Sequence, residues 1–385
     1  MNASPEFLAS RPVDLLRARI AVSIAFFLAG TGTGLWAVHI PLVRERLGID
    51  SAMLGFALFA MAVGSVLTMP LTGWSLGRFG SRLPTAVLTF AFVVVTPLLI
   101  SAGSVPILFL ACALFGASLG GLDVAMNTQA SEIETARGRP IMSSFHGFFS
   151  VGGLVGALLG GAIIAVGWGD GSGAAIAALA FLVFAVYSAR HLLPSERPIS
   201  VGPRFALPSR AVIGLGMIAF LSFAIEGAIA DWSALYLSTV KQATAAAAAT
   251  GFAMFSCAMA GCRLAGDVFV ARFGQRLTLT LGGGLITLGL AIAILAPWAL
   301  VGGLGFALVG IGAANIVPVI FSAGPRVPGV APGMAVATIA TLGYSGFLVA
   351  PPLIGVVAKA YGLSSGLWLV ALGGLIVAAV AALRR

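Results

Sequence analysis

Few side chains in this sequence could carry chemistry, and nearly all of them sit singly inside long apolar runs. Asp123 follows Gly120 and Gly121 in a run that begins at Val105, and Asn127 comes one helical turn later. Glu226 and Asp231 share a later run, His146 sits in Ser143-Ser144-Phe145-His146-Gly147, His39 precedes Pro41, and Arg263 and Asp267 are four residues apart. An ionisable group in hydrocarbon costs several kcal/mol unless it faces a polar interior and finds a partner, so each is a functional candidate. A carboxyl that takes up and releases a proton is what coupling to a proton gradient requires, and histidine titrates in the useful range. Asp123, Glu226 and His146 are therefore read as proton-coupling groups; a structural hydrogen bond or helix packing is the plainer role for each. Glu226 and Asp231 point about 140° apart on a helix. Glu226, the deeper, is expected to face a cavity, and Asp231 with Trp232 to make hydrogen bonds at the helix end.

Arg263 and Asp267 can meet on one helix face and are expected to form an ion pair at a gate. The sharper alternative is an arginine that grips a carboxylate or phosphate, which would make the substrate acidic. Trp36, His39, Asn127, Asn315, Tyr344 and Trp232 supply hydrogen bonds and rings for a small polar solute such as a sugar. Neither His39 nor His146 has the spacing of a metal site. No metal or cofactor is expected, and no nucleophile–base pair suggests an enzyme.

The elements that position these groups follow from composition. Of 385 residues, 59% are hydrophobic and 9% charged, against ~25% charged in a soluble domain. Mean hydropathy is +1.09 over the whole chain. This excludes a soluble enzyme. The formal charge of +9 is spread in small basic groups between apolar runs, which is a topology pattern and not a nucleic-acid footprint. The runs are long enough for membrane helices and lack the period of two of a β-barrel. Cut at charges and Gly/Pro clusters, they predict an all-α membrane protein with twelve transmembrane helices. These lie near 20–42, 52–76, 84–102, 105–130, 140–167, 172–193, 210–238, 247–271, 276–296, 299–323, 330–358 and 362–383. The proline-rich polar segment 194–209 divides two six-helix bundles, 1–193 and 210–385. Cys112, Cys257 and Cys262 fall inside spans and are read as small buried residues.

Counting Lys and Arg on alternate loops gives sixteen on one side and four on the other, with Arg263 inside a span. Both termini and the 194–209 segment are thus expected in the cytoplasm, in a bacterial inner membrane. Arg78-Phe79-Gly80-Ser81-Arg82-Leu83 recurs 194 residues later as Arg272-Phe273-Gly274-Gln275-Arg276-Leu277. Duplication of a six-helix unit explains this. The spacing Gly152-x-x-x-Gly156-x-x-x-Gly160 predicts a tight helix contact. No G-x-x-x-x-G-K-[ST] loop occurs, which argues against an ATP-driven pump.

Gly73-Trp74-Ser75-Leu76-Gly77-Arg78-Phe79-Gly80-Ser81-Arg82 resembles the G-x-x-x-D-R-x-G-R-R signature of the major facilitator superfamily, with Gly77 in place of the acid. The second copy also lacks that acid, having Ala271, but keeps Asp267 a turn earlier. The resemblance implies a major facilitator fold in two pseudo-symmetric bundles, with Arg78, Arg82, Arg272 and Arg276 as gating or structural residues. Two stretches resemble the fucose/proton symporter group and its bacterial relatives: Gly120-Gly121-Leu122-Asp123-Val124-Ala125-Met126-Asn127 and Glu226-Gly227-Ala228-Ile229-Ala230-Asp231-Trp232. The helix 1 acid of fucose transporters is replaced here by Ala37, so a two-acid relay is not implied. Asn315 roughly mirrors Asp123 once a two-residue gap is allowed. The expectation is a monomeric secondary transporter working by alternating access, taking up a small polar solute with protons and needing only the lipid bilayer as partner. A proton-driven exporter of drugs or metabolites and a non-transporting receptor or scaffold are the alternatives.

Overall fold

The structure, a computed structural model, describes residues 14–49, 51–169, 171–194, 209–243 and 245–383. Its elements are α1 (Leu15–Leu47), α2 (Ser51–Phe79), α3 (Arg82–Ile100), α4 (Val105–Arg137), α5 (Met142–Ala165), α6 (Ser172–His191), α7 (Arg210–Thr239), α8 (Ala245–Leu295), α9 (Ala299–Ala313), α10 (Ile316–Ala323), α11 (Pro332–Tyr361) and α12 (Leu363–Leu383). Eleven described segments are long and apolar enough to cross a membrane. One of them, Thr250–Leu295, has 46 residues and would be about 69 Å long at 1.5 Å per residue, twice the hydrocarbon thickness. It is interrupted at Gly274, where φ is 77° and ψ 166°. Counting it as two, and α9 with α10 as one, gives the twelve crossings of an all-α membrane protein. Most of the predicted segment 194–209 lies outside the described residues, as do Arg11, Arg197, Arg204, Arg384 and Arg385.

The chain clusters into two compact units: Met1–Arg139 with Phe148–Val201, and Pro140–Gly147 with Gly202–Arg385. The start of α5 therefore belongs with the second unit and the rest of it with the first. In the first unit, α4 packs along α2 and α3, and α1 packs on α3, α4 and α6. Small residues set the approach. A Cβ at Gly116 would collide with the Met61 carbonyl, one at Gly152 with the Phe27 carbonyl, and one at Gly156 with the Thr31 carbonyl. The predicted glycine stripe of α5 thus lies against the α1 backbone. In lipid, association relies on such close packing, because hydrocarbon tails are as apolar as the side chains.

The repeated motif has the same local geometry twice. Gly80 and Gly274 adopt φ of 74° and 77°, the left-handed region that a side chain disfavours. Each ends one crossing and lets Arg82 or Arg276 open the next. Those arginines reach terminal carbonyls within their own units: Arg82 donates to Ala189 and Arg190, and Arg276 to Ala382. A second pair repeats near the opposite ends of the helices. Arg46, in the last turn of α1, donates to the carbonyls of Ile100 and Ala102, while Lys241, just after α7, donates to Ile294 and Ala296 at 2.8 and 2.6 Å. Carbonyls at a helix end lack intrahelical donors, and a cation there satisfies them and complements the helix dipole.

Some expectations are corrected. Helix α4 runs to Arg137 and closes on Gly138 with φ 65°, seven residues beyond the predicted end. Only Cys112 is buried; Cys257 is exposed and Cys262 intermediate, and all three are unbridged. The tenth crossing is broken in the middle, between α9 and α10.

Candidate functional site

In the first unit the site is built on α4. Gly116 and Gly120 bring α4 onto α2 at Met61 and Ser65. Asp123 and Asn127 follow Gly116 by seven and eleven residues, so the helical repeat points both within about 20° of it, towards the packed stripe. Asp123 is only 8% exposed and Asn127 fully buried. The Asn127 amide donates to the Asp123 carbonyl at 2.8 Å and to its Oδ1 at 3.1 Å. The second carboxyl oxygen, Oδ2, is buried and has no hydrogen-bond partner among the described residues. An unpaired buried polar atom is costly. This carboxyl can keep Oδ1 hydrogen-bonded while Oδ2 holds a proton or meets a solute hydroxyl.

His39, on α1, is buried, and its Nδ1 lies 2.7 Å from the Leu35 carbonyl, so Nδ1 is the donor. Its Nε2 is buried without a partner among the described residues. Trp36 is buried one residue-triplet before it. A network on the extended end of α4 was not anticipated. Ser81 donates to Glu132 at 2.6 Å, Gln129 donates to Ser81 at 2.7 Å, and Gln129 exchanges hydrogen bonds with the Leu193 backbone at 3.1 Å. A hydroxyl, an amide and the Glu132 carboxyl thus join the repeated loop to α4 in a chain that has Gly77 where the signature has an acid.

In the second unit the site is built on a broken helix. Pro318 has no N–H, so the Ala314 carbonyl four residues earlier receives no intrahelical bond. The ladder is intact on either side, with Ala314 N–H on Gly310 and Val319 N–H on Asn315, both at 3.1 Å. Arg263 of α8 fills the gap, donating from Nε to the Ala314 carbonyl at 3.2 Å. Its Nη2 then meets Glu226 Oε1 of α7 at 3.1 Å, with side-chain exposures of 7% and 14%. Glu226 is thus the acid that the structure shows paired with Arg263, where the sequence had suggested Asp267. Asp267 accepts the Ser144 backbone N–H at 3.0 Å, at the start of α5.

Asn315 sits in the break between α9 and α10 with φ −109°. Its amide reaches the Cys262 carbonyl at a long 3.5 Å, while its Oδ1 is buried with no partner among the described residues. Gly266 makes room for that oxygen; a Cβ there would collide with it. Ser222 and Ser233 lie four residues before and seven after Glu226, on the same face of α7, and both hydroxyls are buried and unpartnered among the described residues. Serine is common in membrane helices, so nothing in the sequence singled these out.

Of the other predicted residues, His146 stands within electrostatic reach of Arg263, whereas Asp231, Trp232, Tyr344, Arg78 and Arg272 have other surroundings. Asp231 is exposed, with no hydrogen bond or ion pair among the described residues. Trp232 Nε1 is buried and has no partner among the described residues, and its ring lies beside Gly355, so neither makes the expected bond within the described residues. Tyr344 joins Phe223 and Phe347 in an aromatic cluster, with ring centroids 5.4 and 6.0 Å away. His146 lies beside Phe321, centroids 5.9 Å apart. Arg78 and Arg272 are exposed and lie over Phe79 and Phe273 at 5.6 and 5.5 Å. A groove of about 330 Å³ on α1, lined by Leu16, Arg19, Ile20, Ser23, Ile24, Phe27 and Phe148, includes none of the candidate residues.

Helices with this apolar content, a repeated inter-helix loop and isolated charges inside the spans define a polytopic membrane carrier. The Major Facilitator Superfamily model matches residues 22–331, and the chain belongs to that family of transporters. It is 37% identical over 367 residues to an uncharacterized MFS-type transporter of Yersinia pestis, covering 94% of each chain. It is similar in fold to the crystal structure of FucP, a Major Facilitator Superfamily transporter, in the outward conformation. The TM-score is 0.84 at 15% identity, over 97% of this chain and 100% of that one. A second structure of FucP, described as the fucose:proton symporter of E. coli, gives a TM-score of 0.74 over the same shares.

Proposed function

We propose that this transporter takes up a small polar solute together with protons across a bacterial inner membrane, with both termini in the cytoplasm and the monomer as the working unit. Two six-helix halves, 1–193 and 210–385, joined by 194–209, would alternate access to a central site. The observation that carries the reading is Asp123: a carboxyl buried in an apolar helix, oriented by Asn127, with one oxygen left unpartnered. Such a group is expensive to keep in a membrane unless it works. Glu226 and His146 complete the proton-handling groups. Asn127, Asn315, Trp36, His39, Tyr344 and Trp232 contact the solute, and Arg78, Arg82, Arg272, Arg276, Asp231 and the Arg263–Asp267 segment hold or gate the helices. A solute of the sugar class accords with the proton symport of fucose by the similar protein FucP.

The test is accumulation in proteoliposomes under an inward proton gradient, screened with labelled monosaccharides and sugar acids. Wild type accumulates one of them above its equilibrium level. Asp123→Asn, which keeps shape and hydrogen bonding but cannot carry a proton, still exchanges solute across the membrane without concentrating it. Gradient-driven accumulation that survives Asp123→Asn would refute this role.

A further inference from the structure

A pair of opposite charges inside an apolar unit needs explanation, because hydrophobic residues of the same size are often as stable there. The pair here is also asymmetric in how it is held. Arg263 has a second anchor, the Ala314 carbonyl left open by Pro318, while Glu226 reaches it through one oxygen at 3.1 Å. If Glu226 left, the guanidinium would keep its Ala314 anchor and lose the carboxylate that now meets Nη2. Arginine meets a carboxylate best through two parallel N–H bonds, and the contact with Glu226 is made through Nη2 alone. Buried oxygens without a hydrogen-bond partner among the described residues occur on the same elements: Asn315 Oδ1, next in sequence to Ala314, and the Ser222 hydroxyl one turn before Glu226 on the same face of α7, with that of Ser233 two turns after it. They suit a molecule that carries hydroxyl groups as well as an acid.

We infer that Arg263 is the recognition point for a carboxylate on the transported solute, a polyhydroxy acid, and that Glu226 is its resident stand-in. The inference rests on the transport reading above and narrows its substrate class. On binding, the solute carboxylate replaces the Glu226 carboxylate on Arg263. Glu226, now without its cation, takes one proton on a carboxyl oxygen. One ion pair is broken and one formed, one proton is consumed per carboxylate bound, and the charge of the cluster is unchanged. On release the steps reverse. The elements packed on α7 leave Glu226 few other charges to answer to. Arg263 and Asp267 come from α8, with Cys257, Cys262, Arg272 and Arg276 elsewhere on it, Tyr344, Lys359 and Tyr361 from α11, and Arg210, Asp231 and Tyr236 from α7 itself; α9, α10 and α12 carry no titratable side chain, and His146 at the start of α5 stands within electrostatic reach of Arg263.

The experiment compares D-galacturonate and D-gluconate with D-galactose, which has a hydroxymethyl group where galacturonate has its acid. Thermal unfolding of the purified full chain in detergent reports binding, because a ligand of the folded state raises the melting temperature. A pH indicator in weak buffer reports proton uptake. Wild type is stabilised by the two acids and not by galactose, and takes up a proton as they bind. Glu226→Gln removes the competitor, so the acids bind about tenfold tighter with no proton uptake, a gain that misfolding cannot produce. The double variant Glu226→Gln with Arg263→Gln leaves no unpaired buried charge and loses binding of both acids. The inference is overturned if galactose stabilises as well as galacturonate, if Glu226→Gln weakens binding, if the double variant still binds the acids, or if none of the three probes stabilises wild type. Proton-driven accumulation of a neutral sugar would overturn it while leaving the transport reading intact. Arg263-dependent acid binding without any proton-driven accumulation would do the reverse.

Discussion

Pro318→Ala puts an N–H back four residues after Ala314 and so offers the broken crossing a way to heal. Two terms compete. Proline in a helix interior costs about 3 kcal/mol relative to alanine, although this site has already found a substitute donor. That substitute is the Arg263 Nε bond at 3.2 Å, a charged hydrogen bond of about 1.5–3 kcal/mol. A carbonyl has two lone pairs, so the restored N–H and the guanidinium can share it, and the arginine bond weakens without being lost. The balance is a variant more stable by about 1–2 kcal/mol, with α9 and α10 continuous across 314–315. Straightening that segment moves Asn315 out of its φ of −109° and re-aims Arg263, so solute transport falls although the protein is sturdier. Thermal unfolding in detergent and uptake in proteoliposomes read the two effects separately. A variant that melts below wild type, or one that transports normally, would show that the break is not held open by Pro318 for the sake of the site.

Further outcomes follow from packing and end-capping. Gly116→Val must push α4 off the Met61 carbonyl and should destabilise by about 1–3 kcal/mol or more, seen as a lower melting temperature. Gly77→Ala, with nothing within 4 Å of the added Cβ, should instead stabilise α2 by up to about 1 kcal/mol; equal effects at the two glycines would refute the packing argument. Arg46→Met and Lys241→Met each strip two terminal carbonyls of a cationic donor and should each cost about 1–2 kcal/mol. Since the two contacts are equivalent in the two units, one variant melting like wild type while the other does not would contradict the repeat.

Much of this architecture was legible because a membrane helix announces itself by length and apolar content, and because Arg78–Leu83 recurs almost unchanged at Arg272–Leu277. What was misjudged has identifiable causes. Glu132 and Glu134 made the end of α4 look like a loop, yet Arg137 followed by Gly138 is a helix-ending signal, and the helix continues through the acids to it. The four-residue rule compares neighbours on one helix only, so it points from Arg263 to Asp267 and overlooks Glu226 on α7. A lone arginine and a lone glutamate in consecutive antiparallel helices, twenty-one and sixteen residues from the turn at Gln242, are at similar depth, and a burial argument would have joined them. Pro318 inside a predicted straight helix carried the remaining clue: the carbonyl four residues earlier had to find another donor. The unpartnered hydroxyls of Ser222 and Ser233 left no trace in the sequence, since their significance is an absence of contacts that only coordinates show.

The clamps at Arg46 and Lys241 and the motif arginines at Arg82 and Arg276 obey one plan, whereas the ionisable centres do not. At the position 194 residues after Asp123 stands Val317, and 194 before Arg263 stands Met69. Ancestral symmetry was therefore kept in the joinery and abandoned in the chemistry. A tandem gene built from two copies of the first half should inherit a sound frame with two Asp123 carboxyls and no buried guanidinium–carboxylate pair, while two copies of the second half should carry two Arg263–Glu226 pairs and no counterpart of Asp123. The protein's asymmetry is a division of labour that neither half can perform by being doubled.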